Sequence, residues 1–283
     1  ETGSMTAAAS QLFIAQPSIS LAISEMEDYY GVKLFDRISR KLYLTENGRR
    51  ALQYARHIID LLDEMEQGVR DVDAMGRLKV GTSITIGTYL LPGYIKKLKQ
   101  QYPALKVEAS IANSGTIEQQ ILDNDIDVGI IEGVAHSPFI LSESFAGDRL
   151  VFICPAGHEF AGKTLEELSE VRNQDFILRE KGSAGREIFD GILAAQELNV
   201  RPIWQSASNQ VILQGVKAGL GISILPYFLV RQDIQEGELA EFRIKDLALN
   251  RKYSVIYHKN KFLPRSARTL MELCKEGNGA DRL

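Results

Sequence analysis

The pattern of apolar residues changes twice along the chain, near residues 45 and 77. Residues 1–45 predict short amphipathic helices followed by two short strands. Residues 46–76 carry one long helical repeat. From residue 77 to residue 283, short apolar runs alternate with helices, which is typical of a parallel α/β sheet. We therefore expect three segments with these bounds.

The first segment predicts two helices and a β-hairpin. One helix begins after Ser4, which is a typical N-cap residue. A second begins at Gln16-Pro17, because proline in the first turn of a helix loses no intrahelical hydrogen bond. Gly31 ends that helix, and two short apolar runs between residues 34 and 44 enclose a charged turn. This order predicts a DNA-recognition helix followed by a β-wing.

The second helix has two different faces. Its apolar stripe, expected to face the core, consists of Ile19, Ala22, Ile23, Met26 and Tyr30. The opposite face carries Pro17, Ser20, Leu21 and Ser24. These side chains are small enough to let a helix enter a major groove, and Gln16 beside them could hydrogen-bond a base edge.

Positive charge is concentrated around the predicted wing. Residues 33–56 carry seven basic and two acidic side chains, a net charge of +5, although the whole chain has a net charge of −4. A basic patch of this kind suits contacts with DNA phosphates. A solvated, charged hairpin would have the same composition, but the order of helix face, turn and wing favours DNA binding.

The second segment predicts a long helix that starts after Thr45 and runs to about residue 75. Apolar residues recur in steps of four and three, as in a coiled-coil seam: Ala51, Ala55, Ile58, Leu62, Met65, Val69 and Val72. A helix of about 40 Å with one apolar stripe needs a partner. We expect a second copy of the chain, since paired recognition helices read two DNA half-sites. Packing on its own domain is the alternative.

Polar residues follow several predicted strands of the third segment, at the edge where α/β sheets bind ligands. They lie at residues 82–85, 113–116, 132–133, 182–186 and 206–209. Serine and threonine at a helix start often serve only as caps. Five such sites at one edge favour a pocket in which neutral donors hold a small anion.

Composition and motifs restrict the classes of function. No apolar run approaches the roughly 20 residues of a membrane span, and no signal peptide is visible, so we expect a soluble, cytoplasmic protein. The two cysteines are far apart in sequence, so we expect reduced thiols and no disulfide framework. The histidines show no metal-ligand spacing. Cys154 and His158 lie close in sequence but lack a third orienting residue, and no phosphate-binding glycine motif occurs. We expect neither catalysis nor a cofactor.

With these features, the chain resembles the LysR-type transcriptional regulators along nearly its whole length. The resemblance rests on Gly3-Ser4, Ala7-Ala8, Gln16-Pro17-Ser18-Ile19-Ser20, Gly31-Val32-Lys33-Leu34-Phe35-Asp36-Arg37 and Leu44-Thr45-Glu46-Asn47-Gly48. It implies a mixed α/β protein with a winged helix-turn-helix, a long linker helix and a two-lobed effector domain like a periplasmic binding protein. The resemblance also implies a first helix that packs under the other two, and we expect this helix to be absent from the sequence.

For DNA, the resemblance implies base contacts from the start of the second helix and backbone or minor-groove contacts from the wing. The candidate DNA-binding residues are Gln16, Pro17, Ser18, Ser20, Leu21, Arg37, Arg40 and Lys41. The family often has a serine at Ala15 and an arginine at Leu21. A leucine can contact a thymine methyl but cannot grip guanine, so the operator sequence cannot be taken from relatives.

For the effector domain, the resemblance implies lobe 1 at about 77–150 and 256–276 and lobe 2 at about 151–255. Matching pocket positions are Ser83, Thr85, Ser114, Gly133, Ser183 and Asn209. Ile86 replaces a polar residue of some sulfur-metabolism relatives. The expected partners are double-stranded promoter DNA with a pseudo-palindromic site, a small anionic effector, and further copies forming dimers and tetramers. The dimer contacts are expected at Ala55, Ile58, Leu62, Met65 and Val69. A free-standing solute-binding protein is the alternative.

Overall fold

The computed structural model describes residues 2–38, 41–70 and 76–276 of the 283-residue chain. The chain divides into two compact units, unit 1 (Glu1–Val72) and unit 2 (Asp73–Leu283).

Unit 1 has the predicted order of elements: α1 (Met5–Gln11), α2 (Gln16–Tyr30), β1 (Phe35–Ile38), β2 (Lys41–Leu44) and α3 (Glu46–Arg70). Ser4 Oγ accepts a hydrogen bond from the Ala7 amide at the start of α1, whereas Ala15 gives α2 no side-chain cap. Gly31 ends α2 in the left-handed conformation, with φ of 66°. Local sequence signals therefore set these helix ends.

The base of the wing is fastened to α2 by one carboxylate. Glu27 Oε1 accepts hydrogen bonds from the amides of Leu34 and Phe35, at 2.8 and 3.2 Å. Thr45 Oγ1 then caps α3 by accepting from the Gly48 amide at 2.9 Å. A side chain at residue 48 would drive its Cβ into the Leu34 carbonyl oxygen, so this close approach requires glycine.

The apolar stripe of α2, which the sequence assigns to the core, is largely exposed in unit 1. Met26 and Tyr30 are 43% and 61% exposed, and Ile19 and Ile23 are half-buried. The prediction of a buried stripe is wrong for the described residues. The reason is geometric, because the seven residues of α1 are too few to cover the 15 residues of α2.

Unit 2 alternates strands and helices: β3 (Arg77–Ser83), α4 (Ile84–Tyr89), α5 (Leu91–Gln101), β4 (Lys106–Ala112), α6 (Ser114–Leu122), β5 (Val128–Glu132), β6 (Ile140–Pro155), β7 (Thr164–Leu165), a 3-10 turn (Leu168–Val171), β8 (Phe176–Arg179), α7 (Ala184–Ala195), β9 (Pro202–Ser206), α8 (Asn209–Lys217), β10 (Ser223–Pro226), α9 (Tyr227–Gln235), β11 (Leu239–Ile244), β12 (Asn250–His258) and α10 (Arg265–Glu276).

One strand is shared by both lobes of unit 2. In lobe 1, β3 lies parallel between β4 and β5, and β12 pairs antiparallel with β5 and β6. The 16-residue β6 pairs with β12 up to Arg149 and, from Leu150 onward, with β10 and β11 of lobe 2. The predicted boundary placed residues 250–255 in lobe 2. This is wrong, because they belong to β12 and lie in the sheet of lobe 1.

Each lobe has its own apolar core. Leu78, Val80 and Leu270 belong to the core of lobe 1, between the sheet and its covering helices. In lobe 2 the rings of Phe152 and Phe189 meet edge to face, with centroids 5.8 Å apart. The cores place the carboxyl ends of β3 and β5 opposite the start of α7, and this is where the cleft lies.

Candidate functional site

The exposed face of α2 differs in part from the sequence prediction. Pro17, Ser18 and Leu21 are exposed, Leu21 by 60%. Gln16 and Ser20 are instead half-buried, and their polar atoms lie 3.7 and 3.4 Å from Met5 Sδ. A thioether sulfur is a weak acceptor, so these contacts cost little to exchange for a base edge.

The wing is described mainly through its backbone. β1 and β2 pair antiparallel, with Asp36 opposite Tyr43. Arg40 lies outside the described residues. Arg37 and Lys41 lie on the two strands next to the turn, with their side chains outside the description.

The predicted dimer seam on α3 is exposed. Ile58, Leu62 and Met65 are 64%, 50% and 57% exposed, and Ala55 is exposed as well. The side chain of Val69 lies outside the described part. Within unit 1, therefore, the described seam positions have no covering element, as a helix that pairs with another chain requires.

The two lobes of unit 2 touch at glycines. The Gly115 amide of α6 donates to the Gly182 carbonyl oxygen of lobe 2 at 3.0 Å. Gly133, after β5, has φ of +85°, and a Cβ there would lie 3.0 Å from Ala184 Cβ. These glycines let the backbones of the two lobes come into direct contact across the cleft.

Two predicted pocket residues carry buried hydroxyls without a protein partner. Ser83 and Thr85 are 1% and 2% exposed, and neither Oγ of Ser83 nor Oγ1 of Thr85 has a hydrogen-bond partner among the described residues. A buried hydroxyl without a partner costs roughly 1–3 kcal/mol. Such hydroxyls can be satisfied from outside the protein's own groups, by a water, an ion or a ligand.

Two other predicted residues are already engaged. Ser114 Oγ donates to the Glu132 carbonyl oxygen at 3.0 Å. Ser183 Oγ accepts from the Arg186 amide at 3.4 Å and so caps α7. For Ser183, the hydrogen bond observed is the one expected of a simple helix cap. Gly133 lies against Ala184, and its role in a pocket stays a prediction.

The last predicted residue, Asn209, lines a cavity of about 530 Å³ between the lobes. Ile84 and Tyr89 of lobe 1 form one wall, and Leu213 and Leu229 of lobe 2 form the other. The predicted set therefore divides into a buried hydroxyl pair at the end of β3 and an amide in an adjoining, mostly apolar cavity.

A buried ion cluster at the cleft was missed in the sequence. Arg251 binds the Asp148 carboxylate through Nε and Nη2, at 2.6 and 2.8 Å, and its Nη1 lies 3.4 Å from Glu132 Oε2. Burial opposes the charge on Arg251, but Glu132 and Asp148 outweigh it and raise the guanidinium pKa. Glu132 ends the buried, apolar strand β5. An acidic residue at that position was the sequence signal that could have predicted a buried ion pair.

The cleft arginines are all matched by carboxylates. Besides Arg251, the pairs are Arg179 with Glu180 and Arg186 with Asp190, at 2.8 and 2.7 Å. Among the described cleft residues, positive charge is thus compensated, and a ligand would meet neutral donors first.

A histidine links the two lobes outside the cavity. The Glu118 carboxylate of α6 accepts from the His136 amide at 2.9 Å and lies 3.3 Å from His136 Nδ1. His136 Nε2 is 3.8 Å from Glu187 of α7. Burial raises the pKa of Glu187, and the nearby imidazole partly offsets this effect.

The residues of the enzyme alternative face different partners. The Cys154 thiol donates to the Ala240 carbonyl oxygen at 3.6 Å, whereas His158 Nε2 lies 3.3 Å from Gln174 Oε1. Burial raises the pKa of Cys154 to about 11, which disfavours the reactive thiolate.

None of the helices in the described part of the chain has the length and apolar character that crossing a bilayer requires. Three carboxylates, Asp233, Glu236 and Glu238, lie close enough to share a cation, but Lys217 pairs with Asp233 and Glu238.

Comparison with known proteins agrees with this architecture. Residues 1–49 match the family model for bacterial regulatory helix-turn-helix proteins of the lysR family, and residues 73–279 match the LysR substrate binding domain. The chain is 34% identical over 280 residues to the uncharacterized HTH-type transcriptional regulator YeiE of Escherichia coli K12. The aligned region covers 98% of this chain and 94% of YeiE. It is 30% identical over 259 residues to the HTH-type transcriptional regulator CysL of Bacillus subtilis, covering 91% and 87%.

Solved structures share the fold. The regulatory domain of CcmR from Synechocystis PCC6803, in complex with 2-PG, matches 72% of this chain and 98% of its own, with a TM-score of 0.65 and 24% identity. A full-length OxyR variant from Pseudomonas aeruginosa matches 96% and 90%, with a TM-score of 0.66 and 20% identity. With both domain models in place, the chain belongs to the LysR family of DNA-binding transcriptional regulators.

Proposed function

We propose that this regulator binds promoter DNA through α2 and the wing, and that a small anion in the cleft between the lobes modulates this binding. The buried hydroxyl pair of Ser83 and Thr85 is the observation that carries the effector half of the proposal. The exposed start of α2 beside a basic wing supports the DNA half. Such a regulator acts in the cytoplasm, where its DNA is.

The anion is held mainly by neutral donors in this proposal. Ser83 and Thr85 can each donate a hydroxyl proton, and the Asn209 amide carries two donors at the adjoining cavity. Because the cleft arginines already have carboxylate partners, a small oxyanion or carboxylate gains hydrogen bonds without a full counter-charge. Sulfate-like oxyanions and small carboxylates both meet this description.

Pairing of α3 between two chains places two recognition helices on one pseudo-palindromic site. The exposed seam at Ile58, Leu62 and Met65 supports a homodimer. Further contacts between effector domains would make a tetramer. The effector acts by its different affinity for the arrangements of the lobes, which alters the DNA-binding arrangement that the assembly prefers.

The competing function is a free-standing solute-binding protein. It shares the two-lobed unit 2, but it has no use for a recognition helix, a basic wing or a long helix with an exposed seam. Those three features of unit 1 favour the regulator.

A gel-shift experiment on a fragment of the protein's own upstream region tests the DNA half. Leu21→Asp places a negative charge on the exposed face of α2, and we expect about a tenfold or greater loss of affinity. Leu220→Asp makes the same change at an exposed leucine of unit 2 and serves as the control. Affinity that does not fall with salt, or equal losses in both variants, would contradict the proposal.

A further inference from the structure

One hydrogen bond in the cleft has a direction that chemistry fixes. Arg179 Nη1 lies 2.8 Å from Asn209 Oδ1. A guanidinium has donors only, so the Asn209 atom facing it must be the carbonyl oxygen and not the amide nitrogen. The two N–H donors of Asn209 therefore lie on the side away from Arg179.

Arg179 is itself held firmly. Its side chain is 10% exposed, at the end of β8, and its Nε and Nη2 donate to the Glu180 carboxylate at 2.8 and 3.1 Å. This fork of two parallel bonds fixes the plane of the guanidinium and compensates its charge. The remaining Nη1 is thus a rigid donor that is directed at one residue, Asn209.

Asn209 carries this orientation to the cavity. It is the first residue of α8 and lines the cavity of about 530 Å³. Nearby polar groups have other bonds: Ser208 Oγ accepts from the Val211 amide, and the Thr88 hydroxyl donates to the Ile84 carbonyl oxygen. The lining also includes Tyr89 and Gln210, and the Asn209 amide differs from them in that Arg179 fixes which of its atoms faces away from the cavity wall.

We propose that Arg179 is a positioning residue for the effector: it holds the Asn209 amide with its N–H donors toward the cavity, so that the cleft selects ligands that place an anionic oxygen there. This inference rests on the proposed function. Without Arg179 the amide can turn over at little cost and present its carbonyl oxygen, which repels an anion.

The test measures anion binding by titration calorimetry on the full chain, with sodium sulfate, inorganic phosphate and 2-PG as probes at constant ionic strength. We expect the wild type to bind at least one probe. Arg179→Met and Asn209→Asp are expected to weaken that binding about tenfold or more, the scale of one hydrogen bond to a charged group. Arg243→Met, at an arginine paired with Glu241 of its own strand, should leave it unchanged.

Asn209→Asp separates ligand contact by residue 209 from a structural role. The carboxylate keeps an oxygen on Arg179 Nη1, so the thermal midpoint without ligand should stay at or above that of the wild type, while anion affinity falls. Wild-type affinity in Asn209→Asp would overturn the inference. Because the added charge also repels an anion, positioning by Arg179 is decided by Arg179→Met, or by Arg179→Gln if the first variant fails to fold, and wild-type affinity there would overturn it. A wild type that binds none of the probes would overturn both this inference and the anionic effector. Intact wild-type binding with unaffected variants would overturn this inference alone.

Discussion

Replacing the two buried hydroxyls of the cleft should stabilise the protein while removing its response to the effector. The change is Ser83→Ala combined with Thr85→Val, which deletes both hydroxyls and nearly conserves volume. Most single substitutions lower the stability of a protein. Here the expected sign is reversed because neither hydroxyl has a hydrogen-bond partner among the described residues.

The size of both effects follows from burial. The two residues are 1% and 2% exposed, so each hydroxyl has given up nearly all contact with solvent. At roughly 1 kcal/mol for each unpartnered group, the low end of the usual range, the double variant should gain about 2 kcal/mol in its free energy of unfolding. Loss of two hydrogen bonds to a charged ligand should weaken effector binding about 100-fold or more.

Urea denaturation followed by circular dichroism measures the first effect, with equal slopes required for a direct comparison of the free energies. Ser114→Ala is the matched control, because Ser114 Oγ already donates to the Glu132 carbonyl oxygen. That variant should lose about 1 kcal/mol.

The reasoning fails if the double variant is less stable than the wild type, or if Ser114→Ala stabilises the protein to the same extent. Either result would mean that the cleft hydroxyls are structural groups. A stabilised variant with an unchanged effector affinity would place the ligand elsewhere.

Three further predictions concern other parts of the chain. Leu62→Glu, at a half-exposed seam position, should shift the purified protein from dimer to monomer in sedimentation velocity, and a persistent dimer would refute pairing through α3. The hydrogen bond from Lys33 is the main cause that lowers the pKa of Glu27 below 4.5, so its stabilising contribution is complete above pH 4.5 and is lost as the pH falls through the lowered value. The stability difference between wild type and Glu27→Gln should therefore shrink toward zero in acid, and a constant difference would contradict this. Burial raises the pKa of Cys154 to about 11 and that of Cys274 to about 12, so iodoacetamide should label both slowly in the native state and quickly in urea. Equal rates would show that the thiols are accessible.

Local signals in the sequence were sufficient for much of the fold. Ser4, Pro17 and Gly31 act within a few residues of their own positions, and the helix ends that they predicted are confirmed. The alternation of strands and helices from residue 77 likewise predicted β3, β4 and β5 in order, because short apolar runs of this kind are typical of strands buried on both faces.

Non-local pairing explains what the sequence reasoning missed. The long strand β6 was not predicted, since its partner β12 lies about a hundred residues later and half of β6 is only partly buried. The same distance hid the ion pair between Asp148 and Arg251. No local sequence pattern predicts either the strand pairing or the ion pair.

The residues of the candidate site were named from the sequence, but their contacts were not predicted. The rule that α/β sheets bind ligands at the carboxyl ends of their strands pointed to these segments, and the resemblance named Ser83 and Thr85 within them. The structure places both residues there with buried hydroxyls. Neither the rule nor the resemblance could show that Ser183 caps its own helix, or that Arg179 holds the Asn209 carbonyl oxygen. Hydrogen-bond direction depends on three-dimensional contacts that no spacing rule encodes.

The position of β12 in the lobe 1 sheet has a consequence for how the protein is made. Residues 250–258 lie between β5 and β6, so these two earlier strands lack their shared neighbour until the ribosome has completed most of the chain. Lobe 2, by contrast, takes all its strands from residues 150–244 and can fold while synthesis continues. Translation that stops before β12 would release a chain in which helix α2 is complete but the sheet of lobe 1 lacks the strand between β5 and β6.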